Sequence, residues 1–184
     1  MVVVIALAVA TTFGAGDQYL GSFAAYPWAA DVSLLSAPWL LLPFLAGVTQ
    51  RDPKRAALLG LACTLSALFG YGLMTLSPVE HAHLTMRTAY GFIESSAPVI
   101  VGGLLTGPLF GWFGQRWRAD RAWLGALVTS FAILLEPFAL GLAGRAIRFR
   151  EVSTAEIAAG ALMSIYVVVS ARRAATGHRA ARRP

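Results

Sequence analysis

Residues 122–144 read AWLGALVTSFAILLEPFALGLAG. The stretch is 23 residues long and holds one ionisable group, Glu136. A helix needs about 20 apolar residues to cross the hydrocarbon core of a bilayer. This run is long enough, and too apolar for a solvated surface. Five further runs of the same kind flank it. They lie at about 1–16 (MVVVIALAVATTFGAG, extending through Tyr19 and Leu20), 33–49, 56–77, 96–114 and 156–171. The expected fold is all-α, a polytopic transmembrane bundle of six helices.

Composition agrees with this. Of the 184 residues, 57% are hydrophobic and 13% charged, where a soluble domain carries about 25% charged residues. Mean hydropathy is +0.65. A chain this small has too much surface to hide such an excess in one core. A soluble globular enzyme and a disordered chain are thereby excluded. A single cysteine, Cys63, excludes an intrachain disulfide scaffold. The first run lacks the basic segment that opens a cleaved leader. It is expected to stay as the first helix, with a signal peptide as the alternative.

The net charge is +6. In a soluble chain that would point to nucleic acid. Here the cations sit between and after apolar runs, which is the positive-inside pattern, so no nucleic-acid partner is expected. Arg51, Lys54 and Arg55 follow the second run, Arg116, Arg118 and Arg121 the fourth, and Arg172, Arg173, Arg179, Arg182 and Arg183 the sixth. Placing both termini in the cytoplasm puts all of these inside and leaves Arg87, Arg145, Arg148 and Arg150 outside. The chain then divides into a single transmembrane domain, 1–171, and a basic cytoplasmic tail, 172–184, held on lipid headgroups. Arginine makes up 14 of the 15 basic residues. With the abundant alanine, this fits a high-GC bacterial genome, and the expected location is a bacterial inner (cytoplasmic) membrane. Trp112, Trp117 and Trp123 mark one interface, and Tyr19, Tyr26 and Trp28 the other.

Glu136 is the leading functional candidate. It lies about 14 residues from the inner end of its run, about 20 Å deep at 1.5 Å per residue. A charge near mid-span costs about 2.5–3.5 kcal/mol on insertion scales. Such a group must face a cavity, find a partner or hold a proton. Pro137 follows it and has no N–H, so the carbonyl of Ile133 loses its helical donor. A carboxylate beside a freed carbonyl suits a cation or polar solute. The alternative is a glutamic acid bonded to that carbonyl or to a Ser or Thr on a neighbouring helix. Asp17, Gln18, Tyr71 and Glu94 fall at the same level and are candidate lining residues. Ordinary interfacial residues around a closed bundle would read the same way.

Other patterns carry less chemistry. Gly103, Gly107 and Gly111 form a GxxxGxxxG stripe, which suits close helix approach. Ser153-Thr154-Ala155-Glu156 reads as a capping box ahead of the sixth helix. Pro53 is expected to break the chain between the second and third helices. PFLAGVTQR at 43–51 resembles PLFGWFGQR at 108–116, which raises an internal repeat. Glu80-His81-Ala82-His83 has metal-ligand types but too few of them for a closed site, so no metal and no cofactor is expected. No Walker loop, HExxH, GxSxG or Rossmann fingerprint is present, and an enzyme has no motif to support it.

GDQYLGS, SAPWLLLPFLAG, LFGYG, GPLFGWFG and Glu136 together resemble a family of small polytopic membrane proteins of actinobacterial type whose function is unknown. That resemblance implies a multi-helix membrane protein and brings no activity with it. A weaker resemblance, of size, helix number and an Ala6-xxx-Ala10 pair, is to the substrate-binding S subunits of energy-coupling-factor transporters. It implies a ligand site near the outer face. The expectation is therefore an integral membrane protein that binds a small solute or ion near Glu136, as a transport component. The competing expectation is a structural or assembly protein whose glycine face docks on a membrane-protein partner or a second copy. The lipid bilayer is a partner in either case.

Overall fold

The computed structural model describes all residues but 24, 81, 82, 84, 121, 122, 146 and 181–184, with the backbone alone at 120 and 174–180. All regular structure among the described residues is helical. The helices are α1 (Val2–Gly21), α2 (Pro27–Ser33), α3 (Ala37–Val48), α4 (Pro53–Thr75), α5 (Met86–Asp120), α6 (Trp123–Leu142) and α7 (Arg150–Ala180). Five of them, all but α2 and α3, are long and apolar enough to cross a membrane. Large apolar side chains are exposed along their outer faces, Leu58, Phe69, Leu105, Leu124, Phe138 and Leu162 among them. In water such a surface would aggregate. In lipid it is the solvated surface. The chain is thus a multi-pass membrane protein.

The second run differs from expectation. Its helix, α3, starts at Ala37 and not at 33, and the short helix α2 precedes it at a 49° bend. Pro38 is the cause. A proline inside a helix removes one N–H, while in the first turn that donor is unused anyway. The chain therefore starts a new helix at Ala37, with Pro38 in its first turn. No side chain of its own segment caps α3.

Helix ends elsewhere follow local chemistry. Asp52 caps α4 by accepting from Arg55 N–H at 2.8 Å, and Pro53 is the first helical residue. The expected break at Pro53 is thus a helix start. The fourth run extends well beyond 96–114. Thr85 and Thr88 form a reciprocal cap, with each hydroxyl accepting from the other's backbone N–H at 3.2 and 2.9 Å. That cap starts α5 at Met86 and makes Tyr90 and Glu94 helical. Leu140 to Arg145 closes α6 through Gly144 at φ +73°, with Arg145 N–H donating to Leu140 O at 2.9 Å and Gly144 N–H to Gly141 O at 3.1 Å.

The expected capping box at Ser153–Glu156 does not form. The helix starts earlier, at Arg150, and Phe149 O accepts from Val152 and Ser153 N–H. Phe149 N–H in turn donates to Asp31 on α2 at 2.7 Å. Glu156 is left well inside α7, on the same face as Gly160 and Val167, and that face is buried. α7 continues past 171 to Ala180, so the first part of the expected tail extends the last span as helix. Arg182 and Arg183 lie outside the described residues.

α3 and α5 form the centre, with α4 and α6 against them and α1 and α7 on the flanks. Backbone approach is very close there. A Cβ built on Gly47 would lie 1.9 Å from Gly111 O, one on Gly111 2.4 Å from Ala56 O, and one on Gly114 2.0 Å from Phe44 O. The two resembling segments, 43–51 and 108–116, are thus the ones that cross. Buried hydroxyls bond within their own helices: Thr64 to Gly60 O, Thr129 to Gly125 O and Ser130 to Ala126 O. This satisfies them without any partner helix. At the end that carries Arg118, its guanidinium donates to Val48 O and Thr49 O at 3.1 and 2.9 Å, while Gln115 donates to Arg51 O at 3.0 Å.

Candidate functional site

The start of α3 builds the site. Its first N–H groups point out of the helix with no intrahelical acceptor. Glu136 of α6 supplies the missing cap. Its Oε1 accepts from Ser36 N–H and its Oε2 from Ala37 N–H, the latter at 2.7 Å. A carboxylate at a helix N-terminus also meets the positive end of the helix dipole. The partner of Glu136 is therefore a remote backbone, and neither a Ser or Thr hydroxyl nor the freed Ile133 carbonyl.

A second carboxyl joins it. α6 and α7 approach closely at Gly160, where a Cβ would lie 2.6 Å from Leu134 N. One turn before Gly160, Glu156 faces the Glu136 carboxyl across the α6–α7 contact. Glu156 is only 6% exposed. Neither of its oxygens has a donor from the protein. Beside it runs an open groove of about 710 Å³ between α2, α3, α6 and α7. Its wall includes Trp28, Leu35, Pro38, Leu41, Ile133, Phe149 and Glu156. Apolar walls with one or two convergent polar groups are the usual make-up of a small-molecule site.

The other expected lining residues lie elsewhere. Asp17 is buried on α1 and accepts from the Trp39 indole N–H at 3.3 Å. Tyr71 packs edge-on against that indole, with ring centroids 6.0 Å apart. Asp17 and Tyr71 thus both meet Trp39, on the α1–α4 side of α3. Glu136 and Glu156 sit on its α6–α7 side. Both groups grip the same first turn of α3, from different sides. Gln18 is half-buried at the next position of α1, about 100° around the helix from Asp17. Glu94 is exposed on α5 and belongs to neither group.

The glycine stripe is occupied. Gly103 faces Thr64 and Leu68, Gly107 faces Thr64 and Gly60, and Gly111 faces Ala56 and Gly60, all of α4. That face is filled from within the chain and is closed to a partner. Among the described residues, no group of three or more His, Cys, Asp or Glu is placed to hold a metal ion. His81 lies outside the described residues.

Sequence reading missed two positions of this arrangement. Glu156 was concealed by its match to a capping pattern. Its spacing of four from Gly160, inside an apolar run, is the signal that it faces a neighbouring helix. Asp31 lies in a short helix that no span-length criterion selects.

No protein-family model, no curated protein and no solved structure matches the chain.

Proposed function

We propose that this chain is a six-span protein of a bacterial cytoplasmic membrane, with both termini in the cytoplasm. In this reading α2 and α3 together make the second span, and the protein is a transport component that binds a small solute or ion beside Glu136 and Glu156. The observation that carries the binding reading is the Glu156 carboxyl, buried in a groove wall with no donor of its own. An unsatisfied buried group of this kind is costly, about 1–3 kcal/mol and more if charged, and a ligand that supplies a donor relieves the cost. A broken span supports the same reading. Discontinuous helices are where membrane transporters place solutes and coupling ions. The orientation rests on the cations at the Arg118 end, which the positive-inside rule assigns to the cytoplasm.

Two measurements test this. With Cys63 replaced by serine, a single cysteine at Thr85 should react with a membrane-impermeant maleimide in intact cells, and one at Gln50 should not. The reverse pattern would invert the topology. A thermal-shift screen against ions and small metabolites tests the site. A ligand present at 100 times its Kd stabilises the folded state by about 2.7 kcal/mol, which is a shift of several degrees. That shift should vanish in Glu156→Gln. A full shift in this variant would remove the site from this groove.

A further inference from the structure

Resting on the solute-binding reading, we propose that the ligand is a lipophilic primary amine, and that it binds as a cation in exchange for one proton held by the Glu136–Glu156 pair. Four observations lead there. The groove wall is apolar, so it takes an organic body. Trp28, Leu35, Leu41, Ile133, Phe149 and Val152 supply that surface. The charged residues on the wall are acids, Glu151 and Glu156, so the favoured charge is positive. The buried Glu156 oxygens lack donors, and an ammonium head brings three N–H donors at one point. An inorganic divalent cation asks for six or more oxygens, and among the described residues no group of three or more His, Cys, Asp or Glu is placed to hold one.

The proton follows from hydrogen-bond accounting. The Glu136 oxygens are engaged as acceptors by Ser36 and Ala37 N–H. Two facing carboxylates would repel, and one proton held on the Glu156 carboxyl removes that repulsion. The empty pair then carries one negative charge. When R–NH₃⁺ enters, Glu156 gives its proton to water, and the ammonium takes the proton's place at the Glu156 carboxylate. Two negative charges and one positive again sum to one negative, so the net charge of the low-dielectric site is unchanged. The surrounding groups leave this exchange to the pair. Asp31 on α2 is occupied by Phe149 N–H, α3 presents no titratable side chain, and Glu151 on α7 is exposed. Arg148 and Arg150 flank the start of α7 and are absent from the groove wall.

The test is calorimetry on the full chain in lipid nanodiscs. The probes are 2-phenylethylamine, 2-phenylethanol and 2-phenylacetate, which share a body and differ in head-group charge. The amine should bind and the other two should not. As pH falls and the pair takes up its proton, the amine's Kd should rise toward tenfold per pH unit. Buffers of different ionisation heat should report about one proton released per amine bound. Glu156→Gln should weaken binding at least tenfold. Ala155→Phe, which fills the groove from an exposed wall position, should do the same, and it stands in if the first variant does not fold. Equal binding of the alcohol or acid, or amine binding without proton release, would overturn the amine-for-proton exchange. If that binding were still lost in Ala155→Phe, the solute-binding reading would survive. Failure of all three probes, or amine binding unchanged in both variants, would also overturn the exchange, and the metabolite screen would then decide the wider reading separately.

Discussion

Glu136→Ala should destabilise the protein by about 2–3 kcal/mol. The change strips the acceptor from two backbone N–H groups at the start of α3. A buried donor left unsatisfied, here Ala37 N–H, costs about 1–3 kcal/mol, the exposed Ser36 N–H costs less, and the favourable contact with the helix dipole, about 0.3–1 kcal/mol, is lost as well. α3 cannot replace the cap locally, because no side chain of its own segment caps it and Pro38 stiffens the turn. Glu136→Gln should cost about half as much, since a carbonyl oxygen remains to accept. Glu156→Gln should melt close to the parent, because Glu156 receives no donor from the protein. Reversible unfolding in bicelles, monitored by helix signal, ranks the three. An alanine variant at position 136 that unfolds with the parent would mean that the α3 start needs no cap from α6.

Gly111→Leu should be at least as damaging, and Gly47→Ala should cost about 1–3 kcal/mol from overpacking alone. At both positions the first added carbon meets backbone, which cannot swing aside as a side chain does. Gly47 and Gly111 are each other's neighbours, and Gly111 also abuts Ala56 of α4. A leucine at 111 therefore has to separate α5 from two helices at once. Gly102 is the contrast. It lies in the same helix, beside the stripe, with nothing within 4 Å of an added Cβ. Gly102→Ala should be neutral or stabilising by about 0.5–1 kcal/mol, because alanine is the better helix former. Equal stability of Gly111→Leu and Gly102→Ala in the same assay would rule out the close three-helix contact.

The spans and their order were legible because lipid exposure demands long apolar runs, and those stand out in any hydropathy reading. Gly103, Gly107 and Gly111 were legible as a packing face because their spacing places them on one side of a helix. What they pack against was not, since a stripe of small residues fits a partner helix from this chain or from another. The break at Ser33–Ser36 was obscured because SLLSAPWLLLPF is continuously apolar, and the effect of Pro38 depends on whether the helix starts before it. Glu136 was legible from its cost in lipid. Its partners were not, since Ser36 and Ala37 contribute backbone atoms, which carry no sequence signature. Glu156 was misplaced by a local rule. The four-residue capping pattern is too short to separate a helix start from a helix interior, and the Asp31 bond to Phe149 N–H decides the matter from 118 residues away.

The bond from Ser36 to Glu136 spans 100 residues of chain. Ribosomes add roughly 5–20 residues per second, so α3 exists for about 5–20 seconds before the residue that caps it is made. During that interval the first turn of α3 carries bare amides, which lipid does not solvate. Until α6 is made, that turn is therefore stable only where water or another acceptor reaches its amides. The second half of the polypeptide is in this sense a folding cofactor for the first.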